Sequence, residues 1–447
     1  MNTATLSETT RTVRWVGHSH VYRSSPVARP IEEDCKMLQG HGLNYFGFGH
    51  PWQPWDLELI RKWEKDDVSK RLYHDEKIWR QTDPDSWTRP ERFREWREKY
   101  TSDDFIFDVD CETPKIRFGH LWWLGWQPEH APWHDYDTFW TSWEVSDARR
   151  KLNAPPPPFT MRIQARAIRA QVAMGALPVY AHPTSWWWQD GQHITNIAST
   201  LVPDILTGQA AGCLVVMGYE ADHKHYQELW FNLLNKGYFM TGVAECDACL
   251  DHVAFDRAVY QNHTPVQDFS TKGIQRALIA GHNVMTTGPE LNIACGTCGP
   301  GDTFPEDSGT VKISCGALDP EHAYRLDVIR NGTVVAGWTI KGSARFDAEY
   351  HNESGGWVLA RLVNESKPYD AALTNPIFFK TEPVRVTGHP LPENEIAWWD
   401  RPGGLDLSYY LAKGDWLKDF PGRNPGEVPW EAFRWDDWVA FLDSPAG

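Results

Sequence analysis

The chain has no run of apolar residues approaching the ~18–20 needed to cross a bilayer. Its opening residues, MNTATLSETTRTVRW, carry neither the basic stretch nor the apolar stretch of a secretory leader. Positive charge is scarce: 44 Lys and Arg against 60 Asp and Glu give a formal net charge of −16. That balance argues against a nucleic-acid backbone or an anionic membrane surface as the main partner. Cysteine is sparse as well, and eight in 447 residues do not make a disulfide scaffold. These absences leave a soluble globular protein, expected in the cytoplasm and acting on a small-molecule substrate, with no nucleic acid and no membrane as partner. The oligomeric state is not legible.

Tryptophan, by contrast, is abundant: 25 residues, clustered at Trp122-Trp123, Trp186-Trp187-Trp188 and Trp398-Trp399. Each indole buries a large area, so most are expected in core or inter-domain packing, with a few free to line a ligand pocket. Two CxxC pairs, Cys246/Cys249 and Cys295/Cys298, suggest a zinc knuckle at first sight. The interval between the pairs is longer than typical zinc-ribbon spacing, and reduced loop thiols are the simpler reading.

The length is too great for one small core and suggests two or three units. The first two-thirds alternates strand and helix patterns, the signature of α/β architecture with parallel strands. Strands are expected at Thr12–Gly17, Leu43–Gly49, Phe105–Val109, Arg117–Trp126, Pro178–Ala181 and Phe239–Val243. Helices are expected at Ile31–Gln39, which follows Pro30 and stops at Gly40, at Met161–Met174, through Tyr226–Leu233 to Gly237, and at Thr271–Ala280 before Gly281. Residues 56–101 read as a charged helical insertion. After about Pro289 the pattern turns to alternating strands, with Asn331-Gly332 as a hairpin turn between Leu326 and Ile340 and further strands at Trp357–Val363 and Ile377–Phe379. The expected units are residues 1–289, 290–385 and a Trp-rich tail, 386–447, packing on the body.

The chemistry-bearing residues fall where these strands end. Alternate strand residues point the same way, so in His18-Ser19-His20 both imidazoles can reach one cation while Ser19 faces away. Neutral imidazoles suit zinc, manganese or iron, and a carboxylate such as Glu112 or Asp247 completes a nitrogen/oxygen site. His18, His50, Glu112, His182 and Asp247 each follow an expected strand. In β/α barrels the loops after the strands carry the chemistry, so these residues could converge on one face.

The order of these motifs resembles the PHP (polymerase and histidinol phosphatase) metallohydrolases, and within them the carbaryl-hydrolase-like CehA/McbA branch, over residues 12–385. The matching segments are His18-Ser19-His20, GLNYFGFGH ending at His50, Glu112 with Gly119-His120, Ala181-His182-Pro183, Gly218-Tyr219-Glu220 and GVAECDAC around Asp247. QRALIAGHNVMTTGP (275–289) and Thr374-Asn375-Pro376 resemble the branch's later signatures. The resemblance implies a PHP-type distorted (β/α) barrel followed by a small all-β Ig-like sandwich. It also implies one or two divalent transition metals, one held by His18, His20, Glu112 and Asp247, with Glu112 bridging to a second on His120 and His182. Cys249 stands where the family's closing histidine would be, and His50 alone represents the third-metal set, which puts a trinuclear site in doubt.

The reaction implied is hydrolysis of an ester-type bond, a carboxylic or carbamate ester and possibly an aromatic one. Asp247 and Glu112 would serve the attacking water and His50 the leaving group. A PHP-type phosphoesterase is the alternative chemistry, and a non-catalytic carbohydrate-binding scaffold is the alternative of another class.

Overall fold

The computed structural model describes residues 10–20, 31–51, 91–112, 121–125, 175–181, 187–189, 192–194, 212–218, 223–246, 248–249 and 259–386. For residues 20, 48–51, 91–93, 111–112, 187–189, 192–194, 223–225 and 248–249 it describes the backbone alone. The expected helix Met161–Met174, most of the 56–101 insertion and nearly all of the tail lie outside the described residues.

In chain order the first half contains β1 (Arg11–Val16), β2 (Ser19–His20), α1 (Ile31–Gly40), β3 (Tyr45–Pro51), α2 (Glu91–Tyr100), β4 (Ile106–Glu112), β5 (Leu121–Leu124), β6 (Leu177–Tyr180), β7 (Trp187–Gln189), β8 (Gln192–Ile194) and β9 (Cys213–Met217). Then follow α3 (His223–Asn235), β10 (Tyr238–Phe239), β11 (Thr241–Ala244), β12 (Ala248–Cys249), β13 (Gln261–Val266), α4 (Thr271–Ala280) and β14 (Val284–Thr286). Neighbouring strands of the main sheet run in the order β11-β9-β6-β5-β4-β3-β1-β13-β14. The pairs β1/β3, β3/β4, β6/β9 and β9/β11 are parallel, whereas β5 is antiparallel to both its neighbours. The fold is therefore mixed α/β.

Strand alternation sorts the side chains into two apolar layers. Val13, Trp15, Tyr45, Ile106, Trp122, Leu124, Val179, Val215 and Val243 share one cluster, closed by Ile274, Ala277 and Leu278 of α4. The opposite parity, including Val16, Phe46, Phe107, Val109, Trp123 and Leu214, packs against Leu38 of α1, Trp96 of α2 and Leu229, Trp230 and Leu233 of α3. The ends of α4 are set by sequence: Ser270 caps the Gly273 N–H, and Gly281, at φ 90°, takes the left-handed position that ends a helix.

The two ends of this curved sheet meet. Cys246 N–H donates to the Gly17 carbonyl at 2.9 Å, and side-chain amides do the rest of the joining. Asn262 of β13 accepts from Ala244 N–H and donates to the Ala244 carbonyl, both at 2.8 Å. Asn375 treats Gly242 the same way, at 2.7 and 2.9 Å. Each amide thus supplies the donor and acceptor that a paired strand residue would supply. Asn283 links the two, donating to Asn262 Oδ1 at 2.9 Å and to the Gly242 carbonyl at 3.0 Å.

The later strands are β15 (Glu290–Cys295), β16 (Thr303–Phe304), β17 (Gly309–Gly316), β18 (Tyr324–Arg330), β19 (Thr333–Ile340), β20 (Phe346–Asn352), β21 (Gly356–Asn364), β22 (Ala371–Thr374), β23 (Ile377–Phe379) and β24 (Val384–Arg385). One sheet, β15-β17-β20, faces β22-β21-β18-β19 across a separate apolar cluster of Leu291, Ile313, Leu326, Val358 and Phe379. The ladder does not break at the expected boundary of 289: β14 pairs with β22, so the main sheet continues into the β-rich region. Asn331 and Gly332, at φ 48° and 83°, form the expected hairpin turn.

Several expectations need correction. Phe239–Val243 is two strands, because Tyr238-Phe239 pairs with Val384-Arg385 while Thr241–Ala244 pairs with β9. β9 and β13 were not expected as strands. The helix expected from Tyr226 begins earlier, at His223. Cys246 and Cys295 lie in different apolar clusters, which separates the two CxxC pairs.

Candidate functional site

The parallel strands β1, β3, β4, β6, β9 and β11 all end on the same edge of the main sheet, and the antiparallel β5 begins there. That edge is where the histidines and acids fall. His18 follows β1. In the backbone register His50 lies opposite Cys111, and Pro51 lies opposite Glu112. Glu112 in turn faces Trp122, the second residue of β5. β2 pairs in parallel with β12, setting Ser19 opposite Ala248 and His20 opposite Cys249. His20, His50, Glu112 and Cys249 are thereby placed by backbone; their side chains, with all of His120, His182, Glu220 and Asp247, lie outside the described residues. Among the described residues no group of three or more His, Cys, Asp or Glu side chains is placed to hold a metal ion.

One pair at this edge is described in full. His18 Nδ1 lies 2.8 Å from Glu245 Oε2, and the two residues are 1% and 2% exposed. Glu245 comes directly after β11, and its N–H donates to the Met217 carbonyl at the end of β9. Gly218 makes room for it: a Cβ at Gly218 would stand 3.3 Å from Glu245 Cγ. His18 itself has φ 52°, a left-handed conformation that costs energy in any residue with a Cβ. Its imidazole stacks on Trp122, with centroids 6.4 Å apart and planes 12° from parallel. Behind it Trp15 packs 5.9 Å from Trp122 and 6.1 Å from Tyr45, which forms an aromatic floor. Ser19 donates to the Gly47 carbonyl at 2.9 Å, and because His18 is left-handed and lies outside β2, strand alternation does not set its direction as the sequence pattern suggests.

Below the edge, β4 carries two acids two residues apart, Asp108 and Asp110. Asp108 accepts from Arg97 of α2 at 2.6 Å. Asp110 accepts from the Tyr45 hydroxyl at 3.0 Å and the Gly125 N–H at 2.9 Å, while its other oxygen has no hydrogen-bond partner among the described residues. Burial pushes the Asp110 carboxyl well above the usual carboxylate range, and the neighbouring Asp108 acts in the same direction. Asp110 also requires Gly47, since a Cβ there would fall 1.7 Å from its free oxygen.

Glu245 was not singled out in the sequence. The signal available was its place: Val243, Glu245 and Asp247 alternate along one line at the end of a strand.

No family profile and no curated protein matches the chain. Among solved structures, a two-domain protein from Bacteroides vulgatus containing a predicted PHP-like metal-dependent phosphoesterase is 14% identical. The match covers 83% of this chain and 95% of that one, with a TM-score of 0.39. A CARDB domain from Pyrococcus furiosus in complex with di-metal ions is also 14% identical, covering 21% of this chain and 94% of that one at a TM-score of 0.15. Both likenesses are too slight to bear on the chemistry of this chain.

Proposed function

We propose that the chain is a metal-dependent hydrolase of the PHP type that cleaves an ester-type bond, a carboxylic or carbamate ester, in a small molecule. The observation that supports this is the buried His18–Glu245 pair at the sheet edge where His20, His50 and Glu112 are also placed. A carboxylate held against one ring nitrogen is the arrangement that fixes the tautomer of metal-binding imidazoles. A buried His/Glu pair beside further histidines is a donor set that suits a divalent cation of the zinc, manganese or iron kind. On this reading His18, His20, Glu112 and Asp247 hold one cation, and Glu112 with His120 and His182 a second.

Such a cation supplies Lewis acidity, polarising the substrate oxygen and acidifying a water. The protein residues supply the rest. Glu245 orients His18, and the Trp122 and Trp15 rings under it exclude water and keep the imidazole plane fixed. Asp247 is assigned the proton of the attacking water and His50 the proton delivered to the leaving group.

The test is metal analysis of the purified full chain, paired with hydrolysis of nitrophenyl acetate and nitrophenyl phosphate in the presence of manganese or zinc. One to two transition-metal ions per chain, lost on changing His18 and His20 together to Ala, with acetate the faster substrate, is the expected result. Absence of stoichiometric metal in the wild type would overturn the assignment. Faster turnover of the phosphate would move the chemistry to a phosphoesterase.

A further inference from the structure

A cavity of about 340 Å³ opens where the β-rich region meets the main sheet. Its walls come from three places: Met217 at the end of β9 with Tyr260 before β13, Gln227 on α3, and Arg325, Asp327 and Arg361 on β18 and β21. Val363 and Ala371–Leu373 give it an apolar side. Its volume lies at the lower end of the range for small-molecule sites and holds about ten heavy atoms.

The charges that line it do not balance. Asp327 accepts from Arg325 Nε at 2.7 Å on one oxygen and from Arg361 Nη2 at 3.0 Å on the other. One carboxylate therefore serves two guanidinium groups, and these are the charged residues among those that line the cavity. Arg361, its side chain 30% exposed, reaches Gln227 Oε1 with Nη1 at 3.4 Å, and its Nε is buried without a hydrogen-bond acceptor among the described residues. The Nη groups keep N–H bonds to spare, and a guanidinium with spare N–H groups in a small cavity with an apolar side is suited to a planar carboxylate.

The cavity also adjoins the candidate site. The Met217 carbonyl accepts from Glu245 N–H at 2.9 Å, and the Tyr260 carbonyl faces Cys246 Sγ at 3.5 Å. Two of the residues that wall the cavity, Met217 and Tyr260, thus bond Glu245 and Cys246.

The geometry points to this cavity as a substrate subsite that takes the carboxylate-bearing part of a small, otherwise apolar ester, with Arg361 as its anion contact. The substrate class is then an ester of a compound that keeps a free carboxylate after cleavage. This subsite role rests on the hydrolase reading, whereas anion binding by the cavity does not.

The experiment has two arms on the full chain. In the first, benzoate and the isosteric neutral benzamide are titrated into methyl-labelled protein followed by NMR. Benzoate should shift the Met217, Val363 and Leu373 methyl signals and benzamide should not. Arg361→Gln should weaken benzoate binding by about tenfold or more, and Arg325→Gln, which also removes the surplus charge, by about threefold. The second variant keeps the test decisive if the first does not fold. Benzoate that leaves those methyls unmoved, or that binds wild type and both variants alike, would overturn the proposal.

In the second arm, kcat/KM for nitrophenyl hemisuccinate is divided by that for nitrophenyl acetate. The ratio should fall by about tenfold in Arg361→Gln, and an unchanged ratio would overturn the subsite role. If the wild type cleaves neither ester, the hydrolase reading fails while the benzoate arm still decides the cavity.

Discussion

His18 Nδ1 and Glu245 Oε2 lie 2.8 Å apart across 227 residues of sequence, and both are sealed from solvent. Removing the acceptor from a buried donor costs about 1–3 kcal/mol. Glu245→Ala should therefore lose that much stability in urea unfolding. Glu245→Gln keeps an acceptor without the charge and should fold nearly as well. Its activity or metal affinity should fall about 10- to 100-fold, as when the orienting partner of a metal-binding imidazole is changed. Wild-type activity and metal content in Glu245→Gln would show that the pair is structural only.

Gly17 sits where three elements approach closely. A Cβ there would meet the Ala244 carbonyl at 2.8 Å, the Trp122 ring at 3.1 Å and the Trp15 ring at 3.2 Å. Two of these are tied in place, Trp15 to Thr264 Oγ1 at 2.8 Å and Ala244 to Asn262. Gly17→Ala should destabilise the chain by about 1–3 kcal/mol through overpacking, and it should displace His18. Near-UV circular dichroism of the buried indoles, with urea midpoints, measures both effects.

At the seam, Asn375 must both donate and accept, and an aspartate can only accept. Asn375→Asp should keep the contact with Gly242 N–H but set a carboxylate against the Gly242 and Asn283 carbonyls, to which Asn375 now donates at 2.9 Å each. A loss of about 2 kcal/mol or more is expected in chemical unfolding. Wild-type stability would show that the seam is held without the amide.

His263 gives the pH dependence. Burial lowers its imidazole from 6.5 to about 4, and Arg14 acts in the same direction. The unfolded chain takes up this proton first as the pH falls, so the contribution of His263 to stability is complete above pH 6.5. It is lost progressively down to about pH 4. His263→Gln lacks this dependence. The stability gap between pH 7.5 and pH 4 should narrow in the variant by about 3 kcal/mol, measured by urea titration at both values.

Much of the fold was readable wherever a local signal had a local cause. Thr271–Ala280 was placed to the residue, with Gly281 as its stop, and Asn331-Gly332 announced its hairpin. Cys213–Met217 was missed for a different reason. CLVVM is buried on both faces, and an unbroken apolar run has no period to read. Gln261–Val266 was missed because its inward residues, Asn262 and Thr264, are polar. They spend their hydrogen bonds on Ala244, Asn283 and Trp15, partners that no window of the sequence contains.

The candidate site divides along the same line. His18, His50 and Glu112 stand at the ends of β1, β3 and β4, positions for which chain order and strand direction suffice. Glu245 was not legible, because its meaning comes from a residue 227 positions away.

The seam also sets a timetable. Gly242 and Asn375 are separated by 133 residues, which a ribosome adding about 5–20 residues per second needs on the order of ten seconds to make. For that interval a nascent β11 has neither its Asn375 contact nor, until later strands emerge, the β22 ladder beyond β14. An unpaired strand edge invites pairing with other chains. A version cut after residue 289 would therefore not be a smaller form of the same protein. It would lack the Asn375 bonds to Gly242 and the β22 partner of β14, leaving β14 as an unpaired edge, with aggregation on translation as the expected outcome.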